Sequence, residues 1–385
     1  MVNEELERAR TELKKLGADW AILSSRENVT YVSHFETPTE FGFYADLAYA
    51  PPICLFGVNQ ASSRLLVQHF YESWVKDRQA VDEVVPHVIL DPAAPASARD
   101  NFLATLLQAL RSADLEHSTA RVAIEEKSLP AGALLMLQRE FPNLVLVEAE
   151  PALKTARLLK TEREIMLIRE AAEVNKVGQT EFMQQCRVAG KNEFYIWGAA
   201  MQSMQRAAKK QIDFFAEVII GPGVANFEAG PRDLPSRAGD MATLDSTIRV
   251  NGYFSDTTNT VLIGEVEPTA RQKLYAVASR EAFYAAADAL RPGRRACDAF
   301  AAASAALEKH GLTLIHHAGH QIGTTCNEEP RLLPYDTATI QPGMVFSVEP
   351  GAYEGPGGTI GARMEKQVLV HETGPEIFPD FEWGL

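Results

Sequence analysis

The segment ATLDSTIRVNGYFSDTTNTVLIG sets two runs of β-branched and aromatic residues on either side of Asn251-Gly252. An Asn-Gly pair between two such runs is a strong short-range signal for a tight β-hairpin. One aspartate lies on each arm, Asp245 and Asp256. With Val250-Asn251 at the centre of the turn the two are directly opposed. With Asn251-Gly252 at the centre they are offset by two residues. Either register puts both side chains on one face, because side-chain direction alternates with period two along a strand. Two carboxylates so placed repel each other unless something cationic sits between them.

A second pattern of the same kind follows. MVFSVEPGAY and TIGARMEKQVLV flank the loop EGPGG, with Glu349 on the first arm and Glu365 on the second. A turn centred on Pro356 predicts Glu349 opposite Arg363, with Glu365 two residues away on the same face. For any one of these acids, exposure to solvent is the ordinary reading. For four acids on two half-buried hairpins it weakens considerably. IHHAGHQIG adds His316, His317 and His320, one of which can complete a site. Four carboxylates and one imidazole form a donor set of mostly hard oxygens. Such a set suits two divalent ions, Mn, Zn, Fe or Co, roughly 3.5–4 Å apart, sharing a water whose pKa they lower.

The 385 residues leave room for two to three domains. Over residues 1–153 helical and extended patterns alternate, which predicts an α/β domain. ADWAILSS, ICLFGV, SRLLVQ, RVAIEE and LVLVEA read as strands, and ENVTYVSHF as a further β-rich run. NFLATLLQALRSA and AGALLMLQREF read as helices, and Thr37–Pro52 as a long aromatic, Pro-rich loop. Over residues 154–385 the texture changes. TEREIMLIREAAEVNKVGQTEFMQQC predicts a long helix capped by Thr161, with Glu164 at the capping-box position. RQKLYAVASREAFYAAADAL and CDAFAAASAALEKH predict two more. Helices covering the two hairpins make this half, and the fold class as a whole, α+β.

Charge and composition exclude other functions. The formal net charge is −14, and no Lys/Arg run is long enough for a nucleic-acid face. No apolar run approaches the roughly 18 residues of a membrane helix. The N-terminus is charged and lacks the apolar core of a signal peptide. Four scattered cysteines without a C-x-x-C pair read as reduced thiols, which with the other features predicts a cytoplasmic protein. Cys326, near the predicted site but without an evident paired base, reads as a structural thiol. His34 reads as a surface or loop residue, and Tyr353 as a packing aromatic or a donor behind the site. GPGVANFEAGP is Gly-rich but lacks the lysine of a phosphate loop.

LDSTIRVNGYFSDTTNT, HAGHQIG, FSVEPGAY and ARMEKQVLV together resemble the creatinase, aminopeptidase P, prolidase and methionine aminopeptidase group, with its pita-bread catalytic domain. KTEREIMLIREAA resembles the helix that opens that domain, and ENVTYVSHF a segment of the group's N-terminal domain. The resemblance implies a two-metal site held by Asp245, Asp256, His320, Glu349 and Glu365, with Asp256 and Glu365 as bridges and Glu349 as general acid/base. It retains His316 and Arg363. It also implies a homodimer in which the 37–52 loop reaches the partner's site. The group's peptidases carry two further substrate-facing histidines, and at those positions this chain has Glu228 and Asn327. The expected function is therefore a dinuclear-metal hydrolase resembling Xaa-Pro dipeptidases and aminopeptidases, acting on a dipeptide. The alternative is a metal-dependent non-peptidase of the same fold, a hydrolase or lyase acting on a small zwitterionic or cyclic amide. A non-catalytic binding protein is the third reading.

Overall fold

The computed structural model describes residues 3–38, 49–76, 80–226 and 230–385. Glu228 and most of the 37–52 loop, residues 39–48, lie outside the described residues. The chain divides into two compact units, Met1–Leu158 and Leu159–Leu385. The sequence boundary between residues 153 and 154 falls inside a helix, α6, whose Leu153 and Ala156 are core residues of the first unit.

The first unit contains, in chain order, α1 (Glu4–Lys15), β1 (Trp20–Leu23), α2 (Arg26–Ser33), β2 (Ile53–Gly57), β3 (Ser63–Gln68), α3 (Glu72–Lys76), β4 (Glu83–His87), α4 (Ala98–Arg111), β5 (Arg121–Ile124), α5 (Ala131–Glu140), β6 (Val145–Glu148) and α6 (Glu150–Arg157). The six strands among its described residues form one mixed sheet, ordered β4-β3-β2-β1-β5-β6. Alternation along β1 shows how the sheet is covered. Ala21 and Leu23 join a core with Leu6, Leu13 and Leu153, from α1 and α6. Trp20 and Ile22 join the opposite core with Phe102, Leu106 and Met136, from α4 and α5.

The segment ENVTYVSHF departs from expectation: it lies largely in helix α2, not in a strand. Its β-branched residues suit a strand intrinsically. The side chain of Ser25 nevertheless accepts the Asn28 N–H at 3.1 Å and caps a helix, and Val29, Tyr31 and Val32 are fully buried. Capping and burial together override a weak local preference.

The second unit contains α7 (Glu162–Cys186), α8 (Glu193–Ala208), β7 (Asp213–Ile220), β8 (Met241–Val250), β9 (Tyr253–Leu262), α9 (Ala270–Ala289), α10 (Ala296–Glu308), β10 (Gly319–Gln321), β11 (Glu328–Arg331), β12 (Val345–Val348), β13 (Gly351–Tyr353), β14 (Gly361–Arg363), β15 (Lys366–His371) and β16 (Gly374–Phe378). Helix α7 opens with the expected capping box: the Thr161 hydroxyl accepts from Glu164 N, and the Glu164 carboxylate accepts from Thr161 N. The sheets are three-stranded (β7-β8-β9), five-stranded (β11-β10-β12-β15-β16) and two-stranded (β13-β14). All their pairings are antiparallel.

Two features position the site. Helix α7 lies on β8 and β9 and grips them with buried amides. The Asn175 side chain donates to Ser246 O at 2.7 Å, and the Gln179 side chain donates to Thr257 O at 2.9 Å. The first hairpin is then joined to the second by an antiparallel bridge between Thr258 and Glu365, in which Glu365 N donates to Thr258 O at 2.9 Å. No helix among the described residues is long and apolar enough to cross a membrane.

Candidate metal centre

The β8–β9 turn takes the second of the two expected registers. Val250 pairs with Tyr253 across Asn251-Gly252. Both turn residues have positive φ, 51° and 85°, the conformation that a two-residue hairpin of matching twist requires. Asp245 therefore faces Thr258, and Asp256 faces Thr247. The two aspartates are offset by two residues and share a face.

The second hairpin is shifted from its expected register. Gly351, not Glu349, pairs with Arg363, and Val348 pairs with Lys366. Those two ladders flank Glu349 and Glu365, which therefore lie across from one another. The turn is centred on Gly357 and not on Pro356. Glu354 N donates to Ile360 O, and the Glu354 carboxylate accepts from the N–H groups of Thr359 and Ile360. Because the shift is two residues, every side chain keeps its face.

These registers converge the acids. Asp245, Asp256 and Glu365 each offer an oxygen within 4.8 Å of the others. His320, Glu349 and Glu365 do the same with a nitrogen and two oxygens. His320 Nδ1 lies 2.9 Å from Gln321 O. An N–H there leaves Nε2 as the lone-pair nitrogen, the orientation a metal-ligating imidazole needs. Nε2 lies 3.3 Å from Glu349 Oε1 and 3.8 Å from Asp256 Oδ2. Gly319 makes this approach possible. Its φ is +151°, and a Cβ there would meet Ser347 O at 2.2 Å.

Hydroxyls and one cation hold the carboxylates in place. Thr258 donates to Glu365 Oε2 at 2.6 Å, and Thr247 donates to Asp256 Oδ1 at 2.9 Å. The buried Arg363 guanidinium pairs with Asp245 through Nη2 and donates from Nε to Thr258 Oγ1. Glu365 Oε1 is buried in a residue 1 % exposed and has no hydrogen-bond partner. A buried carboxylate oxygen left without a donor is costly. Hard oxygens, one imidazole and an unfilled acceptor are what a divalent cation satisfies, so the donor set fits metal.

The electrostatics agree. Burial pushes the Asp245 carboxyl up to about 7, with Arg363 opposing and Asp256, Glu349 and Glu217 reinforcing. Burial and then the charges of Asp256, Glu349 and Asp245 hold Glu365 well above the usual carboxylate range. Burial would raise Glu349 too, but its contacts with His317 and His320 carry it well below that range. Burial would depress His320, yet Glu349 and Asp256 push it up to about 9. The metal-free cluster thus retains protons that a cation would displace.

The remaining expected residues divide. His316 lies beside the cluster, its Nε2 3.3 Å from Tyr353 Oη and its Nδ1 2.7 Å from His317 O. Burial lowers it to about 4. Asn327 is exposed on the bend before β11, and no hydrogen bond among the described residues ties its side chain to the acids. One of the three candidate histidines takes a further place beside the acids, and one residue is an addition to the sequence reading. His317 Nε2 sits 3.0 Å from Glu349 Oε1, and the doubled histidine was its signal. Glu217 pairs directly with Asp245 from β7, a strand that the sequence reading does not include.

Comparison with known proteins follows the same division of the chain. The pattern of metallopeptidase family M24 matches residues 166–372, and that of the creatinase/prolidase N-terminal domain matches residues 5–159. The probable dipeptidase PepE of Mycobacterium tuberculosis is 34% identical over 255 residues, spanning 64% of this chain and 65% of that protein. An Xaa-Pro dipeptidase of Pyrococcus furiosus is 30% identical over 238 residues, spanning 58% of this chain and 64% of that protein. Among solved structures, the prolidase of Pyrococcus horikoshii OT3 superposes with a TM-score of 0.80 at 21% identity, covering 99% of each chain.

Proposed function

Because the chain belongs to metallopeptidase family M24, we propose that it is a dipeptidase of the Xaa-Pro type, working with two divalent cations held by Asp245, Asp256, His320, Glu349 and Glu365. One observation carries this reading: Glu349 and Glu365 face each other across a hairpin, within reach of Asp245, Asp256 and His320. Asp256 and Glu365 are the bridges that the resemblance implies, and Glu365 lies in reach of Asp245 and Asp256 on one side and of His320 and Glu349 on the other. When bound, the cations supply Lewis acidity to a water and to the scissile carbonyl.

The chain's own residues do the rest. Glu349 stands at the edge of the cluster with His317 and His320 on one oxygen. It takes a proton from the attacking water and returns it to the leaving nitrogen. Arg363 fixes Asp245 and offsets part of the negative charge. Thr258 and Thr247 orient the bridging acids. The substrate class is supported by the Xaa-Pro dipeptidase named among the relatives.

The test is hydrolysis of a panel of Xaa-Pro dipeptides by chelator-stripped protein reloaded with Mn or Co, with elemental analysis in parallel. Turnover well above the metal-only control, with close to two ions per chain, supports the proposal. Bound metal without dipeptide turnover refutes the substrate. A second reading then takes over, a small zwitterionic or cyclic amide as substrate. The observation in its favour is Asn327, an exposed amide where the peptidases it resembles carry an imidazole.

A further inference from the structure

Cys326 lies on the bend between β10 and β11, and its Sγ is 3.0 Å from Asp256 Oδ2 and 3.8 Å from Thr247 Oγ1. It is not alone there. Asp256, His320 and Cys326 each present one donor atom within 4.8 Å of the other two. Ligands about 2.0–2.3 Å from a tetrahedral cation stand roughly 3.3–3.7 Å apart. The His320 Nε2 to Asp256 Oδ2 separation of 3.8 Å and the sulfur-to-oxygen separation of 3.0 Å bracket that spacing. His320 and Cys326 stand within 4.8 Å of one another, so side-chain shifts of up to about 1 Å would reach it. A second observation points to a ligand in the same place. Glu365, whose Oε1 is buried and without a hydrogen-bond partner, belongs to the group formed with His320 and Glu349, and His320 is the residue that group shares with Cys326 and Asp256.

We infer that Cys326 is a ligand to the cation on the His320 side of the centre, adding sulfur to a set otherwise made of oxygens and one nitrogen. The inference rests on the metal centre proposed above. In the metal-free protein the thiol donates its hydrogen to Asp256. On metal binding the Sγ–H bond breaks, the proton passes to solvent, and the sulfur lone pair takes a coordination position. A soft donor shifts preference toward zinc, cobalt and ferrous iron and away from manganese and magnesium.

Cobalt(II) is the probe, because sulfur ligation adds a charge-transfer band in the near ultraviolet to the visible ligand-field bands. The chelator-stripped full chain is titrated with cobalt as wild type, as Cys326→Ser and as Cys297→Ser. The near-ultraviolet band should appear in the wild type, persist in Cys297→Ser and vanish in Cys326→Ser, while the visible bands remain. Zinc affinity of Cys326→Ser should fall by about tenfold or more, with manganese affinity changed far less. Visible bands without the near-ultraviolet band in the wild type overturn the sulfur ligand and leave the metal centre standing. That reading needs no variant to fold. A band that survives in Cys326→Ser overturns it equally. No cobalt bound at all overturns both the sulfur ligand and the metal centre.

Discussion

Arg363 carries the charge balance of the metal-free centre, and its removal has a calculable cost. The residue is 6% exposed, and its side chain pairs with Asp245 and donates to Thr258. It also feels the charges of Glu349 and Glu365. Arg363→Met keeps most of the apolar stem and removes only the guanidinium. Asp245 is then left half-buried without its partner, among acids that repel it. Breaking a buried ion pair from one side costs about 3–5 kcal/mol. For a unit of this size each kcal/mol moves the Tm by about 2–4 °C, so the chelator-treated variant should melt about 6–20 °C lower.

A divalent cation should return part of that loss. A ligand at a hundred times its Kd, bound only by the folded form, contributes about 2.7 kcal/mol. The variant has lost the cation that offset the repulsion, so it should gain more from metal than the wild type gains. Calorimetry with chelator and with saturating manganese measures both differences. Arg291→Met, which breaks an exposed pair with Asp288, is the control and should cost less than about 1 kcal/mol. The reasoning fails if Arg363→Met costs less than that without metal, or if its loss is the same with metal as without.

Other expectations can be checked separately. Asp256→Ala removes a proposed bridge and should leave less than half the wild-type metal by elemental analysis. Glu349→Gln should lower kcat for a hydrolysed dipeptide by about 10²–10⁴; near-normal turnover would remove Glu349 from proton transfer. Asn175→Leu removes the buried amide that donates to Ser246 O and Ser255 O and accepts from Ser246 Oγ and should cost about 1–3 kcal/mol in denaturant unfolding. His87 is buried edge-on to Phe102, and neither ring nitrogen has a hydrogen-bond partner. Burial, with a smaller effect from His69, lowers it to about 4. The unfolded chain takes up this proton first, so stability is full above about pH 6.5 and falls as pH drops toward 4, by at most about 3 kcal/mol. His87→Phe should flatten that limb of the urea midpoint against pH, and an unchanged slope would refute the assignment.

The legible parts of the site were those with local chemistry. Asn251-Gly252 marks a tight turn, and either register open to it puts Asp245 and Asp256 on one face. The second turn has no such dictating pair. Its centre goes with Glu354 folding back onto Thr359 and Ile360, a contact invisible in spacing, and the pairing partner of Glu349 differs from expectation by two residues. The error was harmless to the site because two residues is one full period of a strand. A one-residue error would have turned Glu349 out of the cluster. Helix α2 shows the opposite case. Residues with strand propensity became helical because Ser25 caps them and the core buries them. Glu217 reaches Asp245 only through the pairing of β7 with β8, and nothing in its local sequence marks that.

The centre is also a place where the fold works against its own stability. Asp256, Glu349 and Glu365 are each at most 9% exposed, and Asp245 lies beside them with Arg363 as its partner. Threonine hydroxyls satisfy some of the oxygens, but one hydroxyl donates one hydrogen, and Glu365 Oε1 receives none. Apolar residues of similar volume would pack there at lower cost. A core arranged only for stability has no reason to assemble these acids through two hairpins, a bridging strand contact and a glycine that admits His320. The cost is recovered when cations bind, because their charge offsets the repulsion and their coordination fills the empty acceptor. Stability and activity should therefore rise together along a metal titration. A protein that reached full stability well before activity, or activity without any gain in stability, would contradict the view that one set of buried acids accounts for both.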